Sequence, residues 1–199
     1  MTFLEALSVI SPLFILIGCW HKRFTLLWFY AAAGFTIDVL SYIVVEKKVL
    51  GNIFLIIEFL ILSFYYRRLI YKNIILFVLF TFTISVWFIY RTIDKGIVNF
   101  NLQDASLFCL IYVLYGLRFF YLSLNNESKI SSKSNFTELG VNIAIFVYAS
   151  GTMLLFLFST PELDADKEQF INLWSTFFVS LNIFRYSMIA VSLRLKKEL

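Results

Sequence analysis

Residues Ile74–Tyr90 read IILFVLFTFTISVWFIY, a run without one charged side chain. As an α-helix it covers about 25 Å, close to the roughly 30 Å hydrocarbon thickness of a bilayer. Such a run has no place on the surface of a soluble domain, and it is not alone. Working outward, six further apolar segments are legible: Phe3–Trp20, Phe24–Val45, Val49–Tyr66, Asp104–Leu124, Leu139–Thr160 and Phe170–Ser192. With Asn73–Tyr90 they make seven expected spans, so the chain reads as an all-α membrane protein, a single seven-helix bundle over residues 1–199. The segment Phe3–Trp20 is the least regular, because Glu5 and Pro12 interrupt it; a proline is tolerated in a span when neighbours satisfy the carbonyl it frees.

Composition agrees. Of 199 residues 60% are apolar, 20% are aromatic and only 15% charged, against about a quarter charged in a soluble domain. Mean hydropathy is +0.83. A disordered chain, a coiled coil and a disulfide-stapled secreted domain are excluded. Cys19 and Cys109 read as two small apolar residues rather than a disulfide framework. No cleavable signal is expected, since no basic region precedes Phe3.

The links are short: His21–Arg23, Glu46–Lys48 and Arg67–Lys72, then Arg91–Gln103, Asn125–Glu138 and Pro161–Gln169. The Ser- and Asn-rich stretch Asn125–Glu138 reads as a mobile loop. Pro161, with Thr160 as cap, suits the first turn of the last helix. Orientation follows Lys and Arg. With seven spans, one side gathers Lys22, Arg23, Arg67, Arg68, Lys72, Lys129, Lys133, Arg194, Lys196 and Lys197; the other has Lys47, Lys48, Arg91, Lys95 and Lys167. The larger set is expected in the cytoplasm, with the N-terminus outside and the C-terminus inside. Glu162, Asp164, Asp166 and Glu168 then lie outside; Asp164, Asp166 and Glu168 alternate as a calcium loop begins, but its Gly and closing Glu are missing.

Four charges fall well inside the spans: Asp38, Glu58, Arg118 and Arg185. Charges in the hydrocarbon region are costly, so they face the bundle interior and seek partners. Glu58, near mid-span, is expected to pair with Arg118 or Arg185, leaving Asp38 either protonated or facing water. On the fifth span Tyr112, Tyr115, Arg118 and Tyr121 recur at intervals of three. On the seventh, Asn172, Ser175, Asn182 and Arg185 share a broad face. On the second, Ala31, Gly34, Asp38 and Tyr42 stack at helical spacing, and Gly140, Ala144 and Gly151 supply small residues on the sixth. The expected polar site inside the membrane is therefore Asp38, Glu58, Tyr112, Tyr115, Arg118, Asn182 and Arg185. A packing lattice of ion pairs is the competing reading of the same residues.

Catalytic residues, a metal site and a cofactor are not expected. No zinc, P-loop or nucleophile-elbow motif is present, and His21 sits in a basic turn. All lysines fall in expected loops or the tail, so a retinal Schiff base has no attachment point.

Several stretches resemble small, uncharacterised seven-helix inner-membrane proteins of Bacteroidota. The longest is Asn52–Tyr66, NIFLIIEFLILSFYY. The others are Ile37–Tyr42, Val141–Thr152, Leu173-Trp174 and Leu181-Asn182-Ile183. Asp38 stands where that family would have Glu, and Arg185 departs from its pattern. The resemblance implies a multi-pass protein of the cell inner membrane and no established activity.

Two functions compete. One is a receptor-like or signalling module with a polar intramembrane site, in which arginines would orient anionic groups. The alternative is a transporter, a channel, or a membrane-acting accessory or effector of a bacterial defence system; CRISPR-linked accessory proteins share this length and span content. The expected partners are the lipid bilayer and a cytoplasmic or membrane protein, with homo-oligomers left open and no direct contact to nucleic acid.

Overall fold

The computed structural model describes residues 3–18, 25–43, 47–70, 73–96, 102–125, 132–158 and 167–198. They form seven helices: α1 Phe3–Gly18, α2 Thr25–Ile43, α3 Lys47–Ile70, α4 Ile74–Asp94, α5 Leu102–Leu124, α6 Ser132–Phe158 and α7 Lys167–Glu198. Five are long and apolar enough to cross a membrane, over Val49–Ile70, Ile74–Asp94, Asp104–Leu124, Phe136–Leu157 and Trp174–Arg194. Leu4–Ile17 and Leu26–Ser41 are shorter apolar helices. The molecule is an all-helical, membrane-embedded bundle.

The helices outrun the apolar segments. α3 continues through Arg67 and Arg68, α4 through Arg91, and α7 runs to Glu198. Lys47, Lys48, Lys133, Lys167, Lys196 and Lys197 consequently sit in terminal helical turns rather than in loops. The stretch Asn125–Glu138 is not one loop, because α6 begins at Ser132. A helix keeps its backbone bonded well past the hydrocarbon edge, so hydropathy marks the buried stretch and not the ends. Pro161, Thr160, His21, Cys19 and the acidic run at Glu162, Asp164 and Asp166 lie outside the described residues.

Local chemistry explains two of the elements. Asn73 caps α4, its side-chain oxygen accepting from the Ile75 amide at 2.9 Å and the Leu76 amide at 3.4 Å. At the other end Gly96 takes φ 86° and closes the turn with a bond from its amide to the Ile93 carbonyl. In α1, Pro12 removes the amide that would bond the Ser8 carbonyl. The Ser11 hydroxyl donates to that carbonyl at 2.7 Å instead, which is how α1 carries an interior proline.

Packing closes a ring. α1 contacts α2, α2 contacts α3, α3 contacts α5, α5 contacts α6, α6 contacts α7, and α7 returns to α1. α4 stands outside it, leaning on α3. Only Phe77, Thr81 and Phe88 of α4 are buried, while Ile75, Leu76, Leu79, Phe82 and Ile93 are exposed. An exposed apolar surface of this extent suits lipid, not water. The end of α4 is tied to the start of α5 by Arg91 and buried Asp104, 3.4 Å apart, and the Arg91 guanidinium lies over the Trp87 ring. Inside the ring, small residues set the close approaches. Gly34 faces the Tyr186 hydroxyl, while Gly140 and Gly151 of α6 lie against Ser192 and Leu181 of α7.

Candidate functional site

Glu58 points into the middle of the ring from α3 and meets Arg185 of α7. The Nη1–Oε1 separation is 2.5 Å, with side chains only 1% (Arg185) and 3% (Glu58) exposed. The same carboxylate oxygen accepts the Tyr30 hydroxyl of α2 at 2.9 Å. The other Arg185 terminal nitrogen donates to Asn182 Oδ1 at 2.6 Å, one turn earlier on α7. Three tyrosine rings surround the guanidinium: Tyr148 at 3.6 Å, Tyr186 at 4.7 Å and Tyr30 at 5.2 Å from centroid to Cζ. A guanidinium is planar and weakly hydrated, so it stacks on rings where an ammonium would stay bare. Those contacts, with the carboxylate and the amide oxygen, offset its removal from water.

A cavity of about 210 Å³ adjoins this cluster. Its walls come from the second half of α2, the first halves of α3, α5 and α7, and the second half of α6, which meet at one end of the bundle. Asp38, Glu58, Tyr112 and Asn182 line it, together with Ser41, Cys109 and Thr152. Cys109 is free and buried. The hydroxyls of Tyr112 and Thr152 are buried and make no hydrogen bond. Such groups are expensive to leave unpaired.

The chain matches no protein-family model, no curated protein and no solved structure. Its site must be read from its own geometry.

Of the expected site residues, the structure brings together Asp38, Glu58, Tyr112, Asn182 and Arg185. Glu58 pairs with Arg185, not Arg118. Asp38 reaches the cavity wall. Tyr115 and Arg118 lie elsewhere. Tyr115 is buried with its ring 5.1 Å from that of Tyr66, and Arg118 is exposed beside the Tyr121 ring. Both line a separate crevice between the end of α3, the outlying α4 and α5, with Ile70, Asn73 and Leu122. The reason is angular. Three residues turn a helix by about 300°, so each step of three falls about 60° short of a full turn. Tyr112 and Tyr121, nine positions apart, therefore face opposite ways, one buried and the other 54% exposed.

Three partners of Arg185 were not legible. Tyr30, Tyr148 and Tyr186 lie in segments rich in aromatics, with nothing to distinguish them from other ring residues. The bond of the Tyr66 hydroxyl to Asn142 Oδ1, 2.5 Å, had the same obscurity. On the last helix, the spacing of Asn182 and Arg185 did signal a shared face, and they bond each other. The Asn172 side chain and that of Tyr42 lie outside the described residues.

Proposed function

We propose that this protein is a receptor-like recognition module of a cell inner membrane, with its binding site in the cavity beside the Glu58–Arg185 pair. The observation that carries the reading is the contrast between the two halves of the site. Both terminal nitrogens of Arg185 are bonded, to Glu58 and Asn182, and three rings surround it, whereas Asp38, Tyr112 and Thr152 belong to the lining of an open volume. A lattice serving packing alone would have no reason to leave a carboxylate on a cavity wall, with two buried hydroxyls unbonded on residues of the same lining. The residues are also a binding set. An arginine so held is a poor base, and the neutral hydroxyls and amide orient a ligand rather than transform it.

Seven spans with the N-terminus outside put the cavity in the half of the bundle nearest the outer surface. The last turns of α2 and α6 and the first turns of α3, α5 and α7 lie at that end. A ligand then enters from outside, and a change in helix packing passes to a protein partner at the basic cytoplasmic face. Membership of the small seven-helix inner-membrane proteins of Bacteroidota, on the stretches around Glu58, Asp38 and Asn142, belongs to the same proposal.

Proton-coupled transport is the rival, because Asp38 and Glu58 share one cavity. A transporter opens its site to both sides in turn; a receptor only switches between packings. In liposomes with an imposed pH gradient the protein is expected to give neither flux nor sustained proton leak. A leak abolished by Asp38→Asn or Glu58→Gln would replace recognition with transport.

A further inference from the structure

The geometry points to a small aryl-alkyl ammonium ion as the ligand of the cavity, with the Asp38 carboxylate as its counter-ion. This rests on the recognition reading above and names the ligand class of that same site.

The first argument is charge. Glu58 and Arg185 are bonded to each other and cancel. Asp38 lines the cavity, and no described side chain hydrogen-bonds to its carboxylate or ion-pairs with it; Ser41 bonds only its backbone carbonyl. Among the described residues the neighbourhood is left one negative charge in excess, and no described lysine or arginine lines the walls. An anion is the wrong guest. The two terminal guanidinium nitrogens of Arg185 are occupied, and Arg185 is not a lining residue. Arginine's affinity for anions has little to offer a guest here, because both terminal nitrogens of Arg185 are bonded to Glu58 and Asn182.

The second argument is the wall. Phe54, Phe108, Phe156 and Phe178 line the same volume. Ring faces attract a cation and accept an apolar body. The third is the pair of unbonded hydroxyls. Tyr112 and Thr152 belong to the cavity lining and their hydroxyl oxygens, buried beneath its surface, make no hydrogen bond, so a turn of either side chain offers an acceptor to an ammonium proton while Asp38 takes another. The fourth is size. About 210 Å³ is below the ~300–1,000 Å³ of drug-sized sites, which fits one ring on a short chain.

The test is a charge series on the full-length protein in lipid nanodiscs. Phenethylamine is compared with phenethyl alcohol and phenylacetate, near-isosteric probes of charge plus one, zero and minus one. Binding is read by calorimetry and melting temperature. Phenethylamine is expected to bind at least tenfold more tightly than either analogue. Asp38→Asn should remove at least tenfold of that affinity, and Thr152→Val about threefold. Should Asp38→Asn fail to fold, Thr152→Val and the preference for the cation in the unaltered protein still decide the matter. Tighter binding of phenylacetate or the alcohol would overturn the cation while leaving a recognition site in place. Binding of none of the three would sink both.

Discussion

Glu58 and Arg185 form an ion pair inside the bundle, with both side chains buried. Removing one partner of such a pair strands the other and costs about 3–5 kcal/mol. Glu58→Gln and Arg185→Gln should each lower the melting temperature in detergent by many degrees. Arg118→Gln, at an exposed position over Tyr121, should change it little. A double-mutant cycle between Glu58 and Arg185 should show strong coupling; additive effects would mean that the pair does not form. Tyr30→Phe should cost about 1.5–3 kcal/mol, the worth of a hydrogen bond to a charged acceptor, and only while Glu58 is present. The charges themselves were legible, because an ionised residue in an apolar run always asks for a partner. Which arginine answered was not, since both lay on plausible faces and only the packing of α3 against its neighbours chose.

At the scale of elements, α6 and α7 touch through glycine. A side chain at Gly151 would meet the Leu181 methyl groups at 2.6 and 3.0 Å, and one at Gly140 would strike Ser192. Gly151→Leu is expected to destabilise by about 1–3 kcal/mol through overpacking, measured as a fall in melting temperature. The site should suffer as well, since Thr152 and Asn182 flank that contact and line the cavity. α4 behaves in the opposite way. Leu79→Ala, at an exposed position, should stay within about 0.5 kcal/mol of the parent, whereas Phe77→Ala, buried against Phe64, should cost about 3 kcal/mol or more. Equal effects at the two positions would show that α4 is packed on all sides, and not peripheral. The sequence marked Ile74–Tyr90 of α4 as a run free of charged residues yet could not place it outside the ring. A helix facing lipid and a helix facing other helices are written in the same residues, because lipid tails are as apolar as leucine.

For the molecule as a whole, the charge split of the connections sets a testable orientation. In a background with Cys19→Ser and Cys109→Ala, Asp94→Cys should react with an impermeant thiol reagent on intact cells and Asn125→Cys should not. The reverse pattern would invert the bundle and move the cavity to the cytoplasmic half. The sequence by itself determined the solvent and the class: a helical bundle for a bilayer, with few charges, each needing a partner. That much follows from length and polarity alone, because a chain in hydrocarbon must satisfy its backbone internally and helices do so one segment at a time. The tertiary structure decided the rest. It closed six helices into a ring and left α4 outside, chose Arg185 over Arg118, turned Tyr121 away from Tyr112, and gathered Tyr30, Tyr148 and Tyr186 from three helices around one guanidinium. These are contacts between residues far apart in the chain, and periodicity along one helix carries no record of which neighbour its faces will meet.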